Sequence, residues 1–131
     1  MNKVLYLIPT MAFALDRILK YLVLQQGSFV INKGVVFGIG IISSNYIILL
    51  IILVIVLLLV YSLKNQNYRL FVMFLVLGGI SNLIDRFLYN GVVDFIKLPY
   101  VPMFNVADIL IVSGILLIFL YEINGFKKIE S

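Results

Sequence analysis

The sequence predicts an all-α membrane protein with four transmembrane helices and a small extracytoplasmic loop or β element, in one domain over residues 1–131. Hydrophobic residues make up 63% of the chain and charged residues only 12%, and the mean hydropathy is +1.16. A chain this short cannot bury so much apolar surface in one soluble core. The net charge is +4, but the basic residues are scattered at the ends of apolar runs. We therefore expect membrane lipids as their partners and no nucleic acid.

Four apolar segments are long enough for the roughly 20 residues that a membrane-spanning helix needs. They run from about Val4 to Leu24, from Ile41 to Leu63, from beyond Arg69 to Asp85-Arg86, and from Phe104 to Tyr121. The second has no polar side chain between Ile47 and Val60 and is predicted to face lipid. The third and fourth are short when only uncharged residues are counted. This indicates that Asp85 and Asp108 lie near one membrane face, turned toward protein or water.

The distribution of basic residues favours cytoplasmic termini. An even number of spans puts both termini on one side of the membrane, together with the turn from Lys64 to Arg69. The ten basic residues divide equally between the two sides. However, Arg17, Lys20 and Arg86 lie beside acids and are candidates for internal pairing, whereas the basic residues on the terminus side flank their spans freely.

The residue types that the sequence lacks exclude several kinds of catalytic and metal site. There is no histidine or cysteine, which excludes zinc sites built on those residues, cysteine nucleophiles and Ser-His-Asp triads. Only six acidic residues are present, and four of them lie in or against apolar segments: Asp16, Asp85, Asp94 and Asp108. A basic residue accompanies nearly every acid, which disfavours a cation site. We expect neither a metal nor a cofactor.

Amide and carboxylate side chains recur together at helical spacing. Asn82 and Asp85 project on one face of the third segment, and Asn105 and Asp108 do the same in the fourth. Polar groups in hydrocarbon cost several kcal/mol each unless they are satisfied. Two helices that each carry an Asn-Asp pair therefore indicate a functional cluster, in preference to residues that form hydrogen bonds only to stabilise the fold.

Two of the four aspartates are predicted to be supports. Asp16 has Lys20 one helical turn further along the chain, and Asp85 has Arg86 beside it. Each therefore has a positive partner that favours its ionised form.

The other two aspartates are predicted to form a catalytic pair. Asp108 has no base within one helical turn, and Asp94 lies in a short β-like run from Val92 to Ile96. Two close carboxylates cannot both ionise cheaply, so one becomes the general base and the other the general acid. Such a pair activates water for peptide hydrolysis.

Five motifs occur in order along nearly the whole chain. They are Asp16-x-x-x-Lys20, Asn32-x-Gly34-x-x-Phe37-Gly38, Gly78-Gly79-x-x-Asn82-x-x-Asp85-Arg86, Val92-Val93-Asp94-Phe95 and Phe104-Asn105-x-Ala107-Asp108. This set resembles the lipoprotein signal peptidases, also called signal peptidase II. The resemblance implies that Asp94 and Asp108 are the catalytic dyad. It also implies that nine residues shape and support the site: Asp16, Lys20, Asn32, Gly34, Asn82, Asp85, Arg86, Asn105 and Ala107.

The resemblance further implies an aspartic endopeptidase of the bacterial cytoplasmic (inner) membrane. Such an enzyme removes the signal peptide of a prolipoprotein by cutting before a diacylglyceryl-modified cysteine, and it is inhibited by globomycin. We expect it to be a monomer. Leu19 stands where the family usually has Thr or Ser, and Ser81 where it usually has Gly. The segment between Lys20 and Asn32 is also shorter than is usual, so we expect a reduced β cradle over the site.

Two other functions remain open at the level of sequence. Carboxylates within the membrane also mark proton and ion conductors, although here they gather at one face and the second segment is apolar throughout. A non-catalytic member of the same fold that binds lipidated peptides is the other alternative.

Overall fold

Four long helices carry most of the residues that the computed structural model describes, which are residues 3–34 and 44–129. They are α1 (Leu7–Gln26), α2 (Ser44–Lys64), α3 (Arg69–Tyr89) and α4 (Val106–Ile129). Short 3-10 turns precede α1 (Lys3–Tyr6) and α3 (Gln66–Tyr68). The predicted positions Phe37, Gly38 and Ile41 lie outside the described residues.

The helices confirm the prediction of a helical membrane protein. Three described stretches have the length and composition to cross a membrane: Asn45–Lys64, Gln66–Tyr89 and Val106–Asn124. The remaining helix, α1, has 20 residues but carries Asp16, Arg17 and Lys20 in its second half. The most apolar stretch of α2 contains no buried residue, as expected of a helix that faces lipid.

The ends of α1 and α3 follow from residues that accept a left-handed backbone. Gly27 caps α1 at φ 74°, and its N–H donates to the Val23 carbonyl. Asn90 caps α3 at φ 55° and donates to the Arg86 carbonyl. Glycine and asparagine are the residues that most readily adopt this conformation at a helix C-terminus.

Helix α3 is the centre of the bundle, since it packs against α1, α2 and α4. Leu70, Phe74 and Leu110 form a buried core cluster between α3 and α4. Further along α3, a Cβ built on Gly78 would lie 2.6 Å from the Ala107 carbonyl oxygen. Glycine is therefore needed where the two backbones approach so closely.

Within the described ranges, four short strands lie at one end of the bundle. Strand β1 (Val30–Asn32) follows α1, and β2 (Val92–Asp94), β3 (Ile96–Leu98) and β4 (Val101–Phe104) connect α3 to α4. β1 pairs antiparallel with β2, with Val30 opposite Asp94, and β3 pairs antiparallel with β4. The short segment after Lys20 thus still contributes one strand, β1, to a two-stranded sheet. The predicted β-like run from Val92 to Ile96 is interrupted at Phe95, where one strand ends before the next begins.

Candidate active site

Most of the predicted site residues meet at the end of the bundle that carries the strands. Seven polar or charged side chains are buried there: Asp16, Lys20, Ser81, Asn82, Asp85, Asp94 and Asn105. Each buried group needs a partner, because an unsatisfied polar group in an apolar environment costs several kcal/mol. Their hydrogen bonds therefore define the site.

Asn105 joins the two aspartates that the sequence predicts as a dyad. It precedes α4, and its Oδ1 accepts from the Asp108 N–H at 2.9 Å while its own N–H donates to Asp108 Oδ2 at 3.0 Å. This reciprocal pattern is a capping box, which satisfies backbone donors at a helix N-terminus. The Asn105 Nδ2 also donates to Asp94 Oδ1 at 2.8 Å. Asn105 therefore contacts both carboxylates, that of Asp94 through its side-chain amide and that of Asp108 through its backbone N–H.

Asp94 is enclosed between β1 and α4. Its side chain is buried, and the Asn32 Nδ2 donates to Asp94 Oδ2 at 3.0 Å. Asn32 is itself oriented by the Gly34 N–H, which donates to Asn32 Oδ1 at 2.9 Å. Gly34 has φ 75°, so this tight turn explains the Asn-x-Gly spacing. Burial raises the pKa of Asp94, although the hydrogen bonds from Asn32 and Asn105 oppose that rise.

Asn82 holds Asp108 from the side of α3. Its Nδ2 donates to Asp108 Oδ1 at 2.8 Å, and its Oδ1 accepts from Lys20 Nζ at 3.1 Å and from Asn105 Nδ2 at 3.2 Å. The two predicted amide–carboxylate faces thus contact each other. The Asp108 carboxylate thus accepts from the Asn82 side chain on α3 and from the Asn105 backbone N–H just before α4.

A buried lysine joins the two predicted support aspartates. Lys20 Nζ lies 2.9 Å from Asp16 Oδ2 and 2.6 Å from Asp85 Oδ2. A buried charge requires this kind of pairing and hydrogen bonding.

The support aspartates also hold the backbone beside each member of the predicted dyad. Asp85 Oδ2 accepts from the Val93 N–H at 3.2 Å, immediately before Asp94. Asp16 Oδ1 accepts from the Ala107 N–H at 3.0 Å, immediately before Asp108. Ala107 is completely buried, as close backbone packing requires.

The structure corrects the predicted partner of Asp85. Arg17, not Arg86, pairs with it, with NH1 2.6 Å from Asp85 Oδ1. Consecutive residues on an α-helix point in directions about 100° apart, so Arg86 faces away from its neighbour. The guanidinium of Arg86 instead lies beside Gly34 and interacts electrostatically with Asp94 and Asp108 as well as Asp85.

Sequence reasoning named Arg17 as a candidate for internal pairing but did not predict its partner, and it predicted no role for Ser81 in this network. Arg17 NH1 donates to both the carbonyl and the hydroxyl of Ser81 at 3.1 Å, and the Ser81 Oγ donates to Asp16 Oδ2 at 2.5 Å. The spacing of Ser81 and Asp85, four residues apart on α3, was the available signal for Ser81. No comparable pattern identified Arg17 as the partner of Asp85.

In the part of the chain that the structure describes, clefts on three sides reach the site. One of about 470 Å³ lies between β4 and α4 and includes Asp108. A second, of about 480 Å³, lies beside β1 and includes Asn32 and Asp94. The third, of about 500 Å³, is an apolar groove between α2, α3 and α4 that ends at Asn82 and Arg86. The two aspartates are therefore accessible from apolar surfaces of the bundle.

The four aspartates are paired with amides and cations. Within residues 3–34 and 44–129, no group of three acidic, histidine or cysteine side chains is arranged to hold a metal ion.

Known proteins are similar to this chain in both sequence and fold. The family model for signal peptidase (SPase) II matches residues 8–124. The lipoprotein signal peptidase of Clostridium novyi is 32% identical over 105 residues, which cover 73% of this chain and 71% of the relative. That of Syntrophomonas wolfei is 38% identical over 105 residues, covering 77% and 70% respectively.

A solved structure of a bacterial membrane enzyme has the same fold. It superposes with a TM-score of 0.82 at 23% identity, covering 95% of this chain and 90% of the other. A second solved bacterial membrane enzyme gives a TM-score of 0.78 at 25% identity. The five motifs, the extent of the family match and the identity to these relatives lead to one conclusion: the chain belongs to the signal peptidase II family.

Proposed function

We propose that this protein is a membrane aspartic endopeptidase that removes signal peptides from prolipoproteins by cutting before a diacylglyceryl-modified cysteine. Asp94 and Asp108 are its catalytic residues. The observation that carries the proposal is the double role of Asn105, whose side chain binds Asp94 and forms the capping box with Asp108. One residue thereby holds two carboxylates beside apolar clefts, that of Asp94 with its side chain and that of Asp108 with its backbone N–H.

The two carboxylates share one proton. Burial raises the pKa of Asp94, so we assign the proton to Asp94 and the role of general base to Asp108. Asp108 takes a proton from water, and the water oxygen bonds to the scissile carbonyl carbon. Asp94 donates its proton to the carbonyl oxygen. As the C–N bond of this tetrahedral intermediate breaks, Asp108 gives the proton it took from water to the leaving amine nitrogen. Asp94 recovers its proton from a hydroxyl of the intermediate, which becomes the new carboxylic acid.

The remaining residues of the network position the dyad. Asn32 and Gly34 orient Asp94 from β1, and Asn82 orients Asp108 from α3. Asp16 and Asp85, which Lys20 joins, accept from the backbone N–H groups of Ala107 and Val93, which precede the two carboxylates. Arg86 lines the apolar groove beside Asn82. Its guanidinium group is a hydrogen-bond donor for the carbonyl groups of a lipidated peptide.

The apolar groove supports a lipidated substrate. Each buried methylene contributes about 0.8 kcal/mol, so two acyl chains anchor a peptide at the membrane more strongly than a few polar contacts do. A substrate that enters laterally from lipid reaches the dyad without crossing water. Globomycin-type inhibitors are expected to occupy the same site. The protein acts as a single-domain monomer in the bacterial cytoplasmic membrane, with cytoplasmic termini and the dyad near the extracytoplasmic face.

A cleavage assay with two matched substrates tests this function. Wild-type protein should cleave a diacylglyceryl-modified prolipoprotein and leave the same precursor with an unmodified cysteine largely intact. Asp94→Asn and Asp108→Asn should each reduce cleavage by about 10²- to 10⁴-fold, because an amide can neither accept nor return the proton.

Glu122→Gln is the matched control. It makes the same carboxylate-to-amide change on the exposed part of α4 far from the dyad, where Glu122 accepts a hydrogen bond from Tyr68. It should cleave at the wild-type rate. Near-normal cleavage by Asp94→Asn would refute the dyad. Binding of the lipidated precursor without cleavage by the wild type would identify a non-catalytic member of the fold, and equal cleavage of both precursors would identify a general membrane protease.

A further inference from the structure

The β3–β4 hairpin presents uncovered apolar side chains at the end of the bundle that carries the two aspartates. Leu98 and Val101 are paired across the hairpin, and each is 49% exposed. Residues directly opposite in an antiparallel pair have side chains on the same face. Tyr100, at the tip, is fully exposed. The tip therefore carries an apolar surface that nothing in the described chain covers.

This surface continues into the lipid-facing side of α4. Residues Val101 to Phe104 form one wall of the cleft that contains Asp108, and the other wall includes Ile109 and Val112. Both of these α4 residues are exposed and belong to the membrane-spanning stretch Val106–Asn124. At 1.5 Å per residue, Val112 lies about 9 Å along the helix from Val106. The hairpin thus lies beside the first two turns of a membrane span.

The backbone of the hairpin limits how deep it can lie. Among the residues that the structure describes, β3 and β4 pair only with each other, so each strand has an outer edge. Pro102 in β4 lacks an N–H group, which suits an edge strand. Unpaired backbone groups do not occur against hydrocarbon, whereas bulk water would leave the apolar tip without a partner. The headgroup region satisfies both requirements.

The side chains at the tip match that region. Tyrosine is enriched at membrane–water interfaces, where its ring contacts lipid and its hydroxyl contacts water. Lys97 is exposed on β3, and its long side chain can place an ammonium group at the level of anionic phosphates.

We propose that the β3–β4 hairpin is an interfacial anchor whose tip, residues 98–101, inserts into the phospholipid headgroup region. The anchored hairpin forms the lipid-side wall of the cleft that leads to Asp108. It holds the two aspartates at a constant depth below the headgroups. The importance of that depth for cleavage rests on the proposed function, but the insertion itself does not.

Single tryptophans measure the depth directly, because the chain contains no tryptophan. Tyr100→Trp reports the tip, Leu53→Trp reports the exposed middle of α2, and Ser28→Trp reports the exposed turn after α1. Each full-length variant is reconstituted in phosphatidylcholine–phosphatidylglycerol bilayers. The bilayers carry bromines near either the glycerol end or the methyl end of the acyl chains.

Tyr100→Trp should be quenched about twofold more by bromines at the glycerol end, since these lie near the edge of the hydrocarbon core. Leu53→Trp should show the opposite preference, and Ser28→Trp should respond mainly to aqueous acrylamide. The proposal is overturned if Tyr100→Trp behaves like Ser28→Trp, which would leave the hairpin free for a polypeptide partner. It is also overturned if Tyr100→Trp behaves like Leu53→Trp. Because quenching reports depth and not cleavage, failure of the peptidase function would not change this result.

Discussion

At the scale of single residues, the site depends on charged and amide groups that hydrogen-bond to one another. Lys20 is completely buried, and its two carboxylate partners extend the network to the backbone amides before Asp94 and Asp108. Removing one partner from a buried ion pair typically costs about 3–5 kcal/mol, because the remaining charge is left uncompensated. The same contacts that stabilise this end of the bundle therefore also set the relative position of the two carboxylates.

Asn32 provides a residue-scale prediction about pH. Its hydrogen bond to Asp94 favours the ionised carboxylate and so lowers the pKa of that group. Asn32→Ala removes the bond, so the pKa of Asp94 should rise further above its usual range. The shared proton is then retained to higher pH, and the alkaline limb of the cleavage profile should move upward. The measurement is kcat/KM for the lipidated substrate as a function of pH.

Gln25→Ala, at an exposed position near the end of α1, is the control for this experiment and should leave both limbs in place. An alkaline limb that stays at the wild-type position, or moves downward, in Asn32→Ala would contradict the assignment of the proton to Asp94.

At the scale of secondary-structure elements, the site is formed where α4 begins against α3. A Cβ on Gly78 would lie 2.6 Å from the Ala107 carbonyl oxygen and 2.7 Å from Ile111 Cγ1. The first of these is a backbone atom that cannot rotate away. The position of the α4 N-terminus, and with it Asp108, therefore depends on a residue without a side chain at this contact.

Adjacent glycines allow a matched test of this contact. Gly78→Ala should push α4 away from α3, reduce stability by about 1–3 kcal/mol and lower the cleavage rate, because overpacking displaces the backbone. Gly79→Ala meets only the end of the Ile55 side chain, at 3.4 Å. It should be neutral or slightly stabilising, since alanine favours helix over glycine by about 1 kcal/mol.

Thermal unfolding in detergent and cleavage of the lipidated substrate measure both effects. Equal stability and activity in the two variants would show that the close approach of the helices does not position the site.

At the scale of the whole molecule, the bundle accommodates a helix that carries three charged residues. Lys20 and Asp16 are completely buried, and Arg17 pairs with Asp85 on the neighbouring helix. Each of these charged side chains has a partner of opposite charge within the bundle. Charged residues in membrane proteins are tolerated when they are paired in this way. The polar groups of α1 and the strands lie at one end of the molecule, and the turn between α2 and α3 lies at the other.

This arrangement predicts which turns face outward. Because the chain has no native cysteine, Ser28→Cys, Lys33→Cys and Gln66→Cys each carry one thiol at an exposed position. A membrane-impermeant thiol reagent applied to intact cells should label the first two and not Gln66→Cys, as the free basic flanks on the terminus side indicate. The reverse pattern would place the termini outside and contradict the proposed topology.

The sequence by itself determined the four helices and much of the site. Long apolar runs specify helices in a membrane because a single segment there can form all of its backbone hydrogen bonds internally only as a helix. Helical spacing likewise predicted that Asn82 and Asp85 share a face and that Asn105 and Asp108 do, and these residues are brought together at one end of the bundle.

Only the tertiary structure decided which groups pair across the helices. Arg86 is next to Asp85 in the chain, yet Asp85 binds Arg17, which is 68 residues away. Neighbouring residues on a helix point in different directions, so a side chain on another helix can be the nearer partner. The contacts to the N–H groups of Val93 and Ala107 have no sequence signature, since every residue except proline carries the same backbone donor. The division into β2 and β3 at Phe95 likewise depends on distant partners, since β2 pairs with β1 and β3 pairs with β4. Local periodicity specifies the helices, but distant parts of the chain must fold together before a carboxylate acquires its partner.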